Sequence, residues 1–256
     1  MGNLKVSVIT VSLNCANTIS VAIKSVLGQT YPDIEYIIID GASTDGTREI
    51  IESYGNRITK TVSEPDNGLY DAINKGIRLA SGDIVGIVNS DDFLHDNMVI
   101  QRIAEAFSEN DNQAVIGDVQ FIDPVNTSRV VRYFSSKRFT PAKFRFGFMP
   151  AHPSFYARRE LFETLGYYKT DYKIAADFEL VLRFMLVNRI KFKYIEMPFV
   201  SMRTGGLSNK SFLSNITLNS EIARACRENG LKTNYFFIYS KYVSKIFQFF
   251  GRRVRR

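Results

Sequence analysis

The sequence predicts an α/β fold in which a mostly parallel sheet is flanked by helices. Three observations carry this expectation. β-Branched apolar segments alternate with amphipathic helical stripes through the first hundred residues. The apolar run 84–88 follows Gly82 and stops at Asn89-Ser90-Asp91-Asp92, as a strand buried on both faces does when its carboxyl end meets polar breakers. Finally, 256 residues with 45% hydrophobic content supply one large core, and the chain shows no internal repeat, low-complexity segment or clear linker.

The elements follow in order. Residues 5–12, β-branched throughout their centre, form strand one. Ile19, Ala22, Ile23, Val26 and Leu27 make a helical stripe over 18–27, after which Pro32 prevents continuation. Strand two covers 34–39 and ends at Asp40, and the turn 41–46 feeds a helix through Tyr54. A strand over 58–63 and a helix over 69–80 precede strand four, and a further helix begins near Asp96. The middle of the chain is less regular: 114–121 and 129–133 read as a hairpin-like pair, and 158–165 as a short helix closed by Gly166. Residues 175–187 form a strong helix with Phe178, Val181, Leu182, Met185 and Leu186 on one face. A strand over 191–195, a Gly-rich loop over 203–208 and a helix over 213–228 ending at Gly230 complete the body.

Composition excludes several classes of function. Cys15 and Cys226 are too few for a disulfide framework or a thiolate metal site, which suits a reducing compartment. Two histidines, His95 and His152, argue against a multi-histidine zinc centre. No charged segment followed by an apolar one opens the chain, so the expectation is a cytoplasmic protein. The net charge of +7 is a property of the tail: six basic residues and no acid lie in 235–256, leaving 27 basic against 26 acidic residues before it. Nucleic acid is therefore not an expected partner.

Right-handed crossovers place the carboxyl ends of strands one, two and four along one edge of the sheet, where α/β proteins bind ligands. Thr10, Ser12, Asp40, Asp91 and Asp92 then converge although they span eighty residues of sequence. Paired carboxylates suit a hard divalent cation that shares its coordination with substrate phosphates. The bland alternative for each acid is a cap: Asp91 and Asp92 for the helix near Asp96, Asp40 for its turn, and Asp177 for the helix it opens.

With these residues in view, the chain resembles the inverting glycosyltransferases of family 2, which have the GT-A fold, over about residues 4–210. The segments Val8-Ile9-Thr10-Val11-Ser12-Leu13-Asn14 and Ser25-Val26-Leu27-Gly28-Gln29-Thr30-Tyr31-Pro32 are similar to the family's first strand and the helix end after it. Ile38-Ile39-Asp40-Gly41-Ala42-Ser43-Thr44-Asp45-Gly46-Thr47 is the strongest match, and Asn74-Lys75-Gly76 and Ser81-Gly82-Asp83 precede the metal motif as they do in the family. The resemblance implies a Rossmann-like mixed sheet, with a nucleotide-sugar half over 1–110, an acceptor half over 111–210 and a C-terminal helical extension over 211–256.

It also implies roles. Asp40 matches the aspartate that reads the nucleotide base, typically uracil, and a carboxylate accepting a base N–H suits that role. Asp92 matches the ligand of Mn²⁺ or Mg²⁺, and Asp91 the neighbour that contacts ribose or a coordinated water; Ser90 stands where the usual D-x-D motif has its leading acid. Asp177 matches the catalytic base, with Glu179 as the alternative. Thr10, Ser12 and Asp66 fall among the donor contacts, near Glu64 and Asn67. Arg203 belongs to a loop that covers the donor in relatives, and its donor fork suits a diphosphate. His152 lies in a segment that faces the acceptor, as an acceptor contact or an auxiliary metal ligand, beside the alternative of a packed histidine.

From Phe236 onward, Phe236, Val243, Phe247, Phe250 and Val254 share one helical face, with Lys241, Lys245 and Arg252 on another. An aromatic face opposite a basic one predicts peripheral contact with an anionic membrane, the alternative being a helix docked on the domain. This fits a lipid-diphosphate-linked glycan acceptor, surface-polysaccharide synthesis and a place on the inner face of the cell membrane. The chain has no Trp, so the Q-x-x-R-W motif of processive relatives is absent and transfer of a single sugar is expected. Two rivals remain at this point: a nucleotidyltransferase acting on sugar phosphates, and a non-catalytic membrane-tethered binding protein.

Overall fold

The computed structural model describes residues 4–204 and 212–240. Residues 205–208 of the expected Gly-rich loop and 241–256 of the basic tail lie outside them.

The first third of the chain is regular. In order come β1 (Val6–Ser12), α1 (Ile19–Leu27), β2 (Ile34–Asp40), α2 (Thr47–Ser53), β3 (Lys60–Ser63), α3 (Leu69–Leu79) and β4 (Ile84–Ile87). β1 pairs in parallel with β2 from Val6↔Ile34 to Ser12↔Asp40, and on its other edge with β4 from Val6↔Ile84 to Ile9↔Ile87. β3 adds outside β2, with Ser63 opposite Asp40. The carboxyl ends of β1 and β2 thus finish level, which puts Ser12 beside Asp40.

Alternate residues of β1 enter two separate cores. Val6 and Val8 face α1 and the later helix α4 (Val99–Ser108), through Ile19, Ile23, Ile100 and Ile103. Ile9 and Val11 face α3, through Ile73 and Ile77. Each such side chain, fully buried, contributes about 1.5–3 kcal/mol of apolar transfer, so the central strands are held from both sides. Gly76 lets α3 approach β1 closely: a Cβ there would lie 2.5 Å from Ile9 Cγ2.

Beyond β4 the sheet becomes mixed. The remaining elements are β5 (Phe93–Leu94), α4, β6 (Ala114–Ile122), β7 (Val130–Phe134), β8 (Tyr156–Arg158), α5 (Glu160–Leu165), α6 (Ala176–Leu182), β9 (Phe192–Arg203) and α7 (Phe212–Glu228). The strand order is β3-β2-β1-β4-β8-β6-β9-β5, with β7 also on β6. β8 runs antiparallel between β4 and β6, and β6 pairs in parallel with β9. Gly86 of β4 admits the Tyr156 ring of β8, which a Cβ would meet at 1.9 Å.

Three differences from the sequence-based expectation have physical causes. The helix over 175–187 is α6 followed by a π-helical turn at Arg183–Val187. The strand expected over 191–195 continues to Arg203. Pro198, which cannot donate to a ladder, sits where the β6–β9 register shifts, so the strand survives it. β5 and β8 are two and three residues long, too short to show a period. The first of these pairs with β9, Phe93↔Ser201 and Leu94↔Val200, and so brings Arg203 back to the end of β4.

Candidate active site

Asp40 closes β2 and is fully buried. Ser12 Oγ donates to its Oδ1 at 3.0 Å and Ser43 Oγ to the same oxygen at 2.5 Å. Ser43 N–H and Ser63 Oγ donate to Oδ2 at 3.0 and 2.7 Å. A carboxylate offers about four acceptor positions, and these four donors fill them. Burial alone would raise the Asp40 pKa; the donors, Ser43 foremost, outweigh it and hold the carboxyl below its ordinary range. The chain makes this collar by passing through Ala42 in the left-handed region, φ 60°, which turns Ser43 back onto β2. The carboxylate therefore does close its turn, and a base N–H reaches it only if one of these donors turns away.

Asp66 stands at the same corner. A Cβ on Gly41 would lie 3.1 Å from Asp66 Oδ2 and 3.5 Å from the Ser12 carbonyl, so the absence of a side chain leaves the strand end open to that carboxylate. Lys75 Nζ holds Asp66 Oδ1 at 2.6 Å and Glu64 at 2.8 Å. Thr10 is not part of this surface: fully buried, it exchanges a 3.0 Å hydrogen bond with the Tyr36 hydroxyl inside the core.

The end of β4 differs. Asp92 is 2% exposed, yet among the described residues its carboxyl meets only the Asn89 amide at 3.2 Å and the Arg203 N–H at 3.3 Å. Burial, with the neighbouring Asp91 charge second, pushes its pKa up to about 7. The Arg203 guanidinium donates to the Asp91 carbonyl and stacks over Phe93, 5.5 Å from the ring centre. Burial raises the pKa of the Cys15 thiol after β1, and Ser90, in the leading position of the motif, opposes that rise. Strand ends one and four are joined where the Val88 N–H donates to the Ile9 carbonyl at 2.9 Å. Neither Asp91 nor Asp92 caps α4; the carboxylate nearest its start is Asp96, which accepts the Met98 N–H at 2.8 Å.

Asp177 lies in the first turn of α6, after Ala175 in the cap position, and accepts the Phe178 N–H at 2.8 Å. Its enclosure raises its pKa, and His152 opposes that rise as the next influence. His152 in turn is shifted down by desolvation, against the pull of Asp177. Its Nε2 contacts the Tyr168 hydroxyl at 2.8 Å, and Tyr70 stacks on Tyr168 with ring centres 5.8 Å apart. A carboxyl group whose pKa is raised by enclosure has the character of a general base. Glu179 serves the structure instead. Fully buried, it pairs with Arg183 at 3.0 Å and Lys169 at 3.2 Å, and these partners hold its pKa down against burial.

The donor set at Asp91 and Asp92 fits a divalent cation. Among the described residues no group of three or more His, Cys, Asp or Glu is placed to hold a metal, so no protein cage exists there. Mg²⁺ and similar ions instead use one or two carboxylates and complete their shell with phosphate oxygens and water. A buried acid raised by its own enclosure and by an adjacent charge is what a nearby cation would relieve. Tyr70 and Tyr168 escaped the sequence reading, which named Asn89 at the strand end without giving it a role of its own; nothing local marks the two tyrosines.

Comparison with known proteins gives the family and the fold. The sequence model described as Glycosyl transferase family 2 matches residues 7–166. A PGL/p-HBAD biosynthesis glycosyltransferase of Mycobacterium bovis is 28% identical over 225 residues, 84% of this chain and 85% of the relative. Among solved structures, Staphylococcus aureus TarS 1-349 in complex with UDP-GlcNAc superposes with a TM-score of 0.70 at 19% identity, over 87% of this chain and 66% of that one. Mannosyltransferase PcManGT from Pyrobaculum calidifontis, in complex with GDP-Man and Mn²⁺, gives 0.62 at 22% identity, over 89% of this chain and 64% of that one. This chain thus spans just under two thirds of either solved chain, and these two likenesses show the fold alone.

Proposed function

This chain belongs to glycosyltransferase family 2, and from that premise we propose that it moves one hexose, with inversion, from a nucleoside-diphosphate sugar to a glycan hydroxyl. A UDP-sugar is the favoured donor, Mn²⁺ or Mg²⁺ the metal, and a lipid-diphosphate-linked glycan of surface-polysaccharide synthesis the acceptor. Membership in the family sets aside a nucleotidyltransferase and a non-catalytic scaffold. The observation that carries the proposal is the enclosed, under-compensated Asp92 beside Asp91 and Arg203, with a second raised carboxyl, Asp177, on a separate helix.

In this reading Asp92, with Asp91, holds the cation. When bound, the ion supplies charge neutralisation to the departing diphosphate. Arg203 fixes the Asp91 backbone and, with Asn89, fixes the Asp92 carboxylate. Ser12, Asp40 and Asp66 shape the corner that receives the nucleotide, and Thr10 supports it from within the core. Asp177 takes the proton from the acceptor hydroxyl as that oxygen attacks the anomeric carbon from the side opposite the leaving group. Its raised pKa strengthens it as a base, and His152, steadied by Tyr168, sets its charge and direction. Support for a nucleotide-sugar donor comes from the UDP-GlcNAc and GDP-Man complexes of the structural neighbours.

No helix among the described residues is long and apolar enough to cross a membrane, and peripheral attachment to the inner face of the cell membrane, through the basic tail, completes the proposal. Replacing Asp177 by Asn tests the chemistry. Turnover with Mn²⁺, a panel of nucleotide sugars and lipid-diphosphate monosaccharides is expected to fall about 10²–10⁴-fold, with donor affinity retained. Full turnover in this variant would remove Asp177 from the reaction.

A further inference from the structure

The near-neutral charge of residues 1–234 conceals a sharp local imbalance. From Pro124 to Arg159 there is no Asp or Glu, while Arg129, Arg132, Lys137, Arg138, Lys143 and Arg145 fall in its first two thirds. Two of these cations meet acids from elsewhere, Lys137 with Glu196 at 2.7 Å and Arg129 with Asp123 at 3.8 Å. The others reach no acid within ion-pair distance among the described residues: Arg132 stacks on Phe121, 3.8 Å from the ring centre, and Arg145 donates to the Lys232 carbonyl at 3.1 Å.

The same stretch exposes apolar side chains. Val125 at the hairpin tip is 93% exposed, and Val130 and Val131 of β7 are 50% and 45% exposed, followed by Tyr133 and Phe134. β7 pairs with β6 along one edge and is exposed at every residue. An edge strand this apolar invites another surface. A second copy paired edge to edge in an antiparallel register centred on the strand would set Arg132 against its own copy, which like-charge repulsion opposes. Cations alternating with valine and aromatic groups match an anionic bilayer, whose headgroups take the charges and whose interface takes the apolar tips.

We propose that the β6–β7 hairpin is a membrane-contact element in its own right, which lays the second half of the sheet on an anionic bilayer independently of the C-terminal tail. The segment leads towards that tail: Arg145 stacks on Phe237, Phe146 packs against the same ring at 5.4 Å, and Phe236 beside it is highly exposed. Two contacts on one body would fix the orientation of the enzyme, where a tail alone would only tether it. The inference builds on the membrane-facing reading above, but its test needs neither donor nor turnover, so the two fail separately.

The experiment is flotation of the full-length chain with vesicles of phosphatidylcholine containing phosphatidylglycerol. R132E/R138E is expected to lower the partition coefficient by about tenfold or more. V130N/V131N, which changes exposed side chains and no charge, is expected to lower it about three- to tenfold. Neutralising the six basic residues of the tail is expected to leave residual binding that R132E/R138E then abolishes. Thermal unfolding confirms that each variant is folded. Unchanged flotation of both hairpin variants would overturn the proposal. So would a loss confined to the arginine variant and matched by an equal loss of polyphosphate binding, since that pattern describes a soluble polyanion site.

Discussion

Two carboxylates end neighbouring parts of the same sheet, and their surroundings push them in opposite directions. Asp40, after β2, is enclosed by Ser12, Ser43 and Ser63 and is held ionised. Asp92, after β4, is enclosed almost as fully but receives two long hydrogen bonds, and its pKa rises to about 7. Burial raises both; four donors outweigh it at Asp40, whereas at Asp92 the adjacent Asp91 charge adds to it and the Asn89 and Arg203 donors do not offset the sum. A carboxylate whose acceptor positions are filled stabilises a strand end and a turn. One whose positions are left open stores a demand for positive charge that a ligand can meet. The difference separates the frame of the site from the part that binds.

The most severe way to break the comparison is to remove the open carboxylate. Asp92→Asn keeps the shape and deletes the charge, and in the proposed mechanism the diphosphate then departs without its neutralising ion. Sugar transfer is expected to fall about 10³-fold, or roughly 4 kcal/mol of transition-state stabilisation. Initial rates at saturating Mn²⁺ measure this, and a rate within tenfold of wild type would place the cation elsewhere.

Next in size is a stability effect that needs no substrate. Asp92 binds its proton more tightly in the folded state than in the unfolded chain. Its contribution is therefore present below about pH 4 and is lost as pH rises through about 7. The full swing is on the order of 4 kcal/mol. Wild type should accordingly lose stability relative to Asp92→Asn between pH 4 and 8. Mn²⁺, which prefers the ionised carboxylate, should restore more of the melting temperature at pH 8 than at pH 5. Melting curves of the two proteins at both pH values, with and without Mn²⁺, decide it; identical pH profiles would show that Asp92 does not carry the strain its surroundings suggest.

The contrast between the two acids was only half legible in the sequence. Strands β1, β2 and β4 were, because strands buried on both faces read as continuous apolar runs, and the polar and acidic residues at their ends mark where each stops. The positions of Asp40, Asp91 and Asp92 at one sheet edge followed from that. Their environments did not follow. The hydroxyls around Asp40 come from three places in the chain, and no local spacing predicts that Ser12, Ser43 and Ser63 meet. Arg203 reaches Asp91 and Asp92 through the pairing of β9 with the two-residue β5, a contact more than a hundred positions apart in sequence. Asp177 was found by resemblance, whereas the electrostatic influence of His152 on it depends on how α6 packs. The acid-free stretch from 124 to 159 was legible but was averaged away in a sum over the whole body.

The smallest effect tests the closed end of the comparison. Ser63 lies opposite Asp40 in the β2–β3 register, so Ser63→Ala keeps the backbone pairing and removes one donor from the collar. The expected loss is about 1 kcal/mol at pH 7. Because the folded-state pKa of Asp40 is depressed, the collar stabilises the protein above the unfolded value near 4, and its contribution disappears as pH falls through the folded value. Urea unfolding of wild type and Ser63→Ala at pH 7 and at pH 3 should therefore show a deficit that shrinks in acid. An equal deficit at both pH values would mean that Ser63 acts by packing, and that the sign of the Asp40 shift is set by other donors, with Ser43, which contributes two of the four bonds, the first to examine.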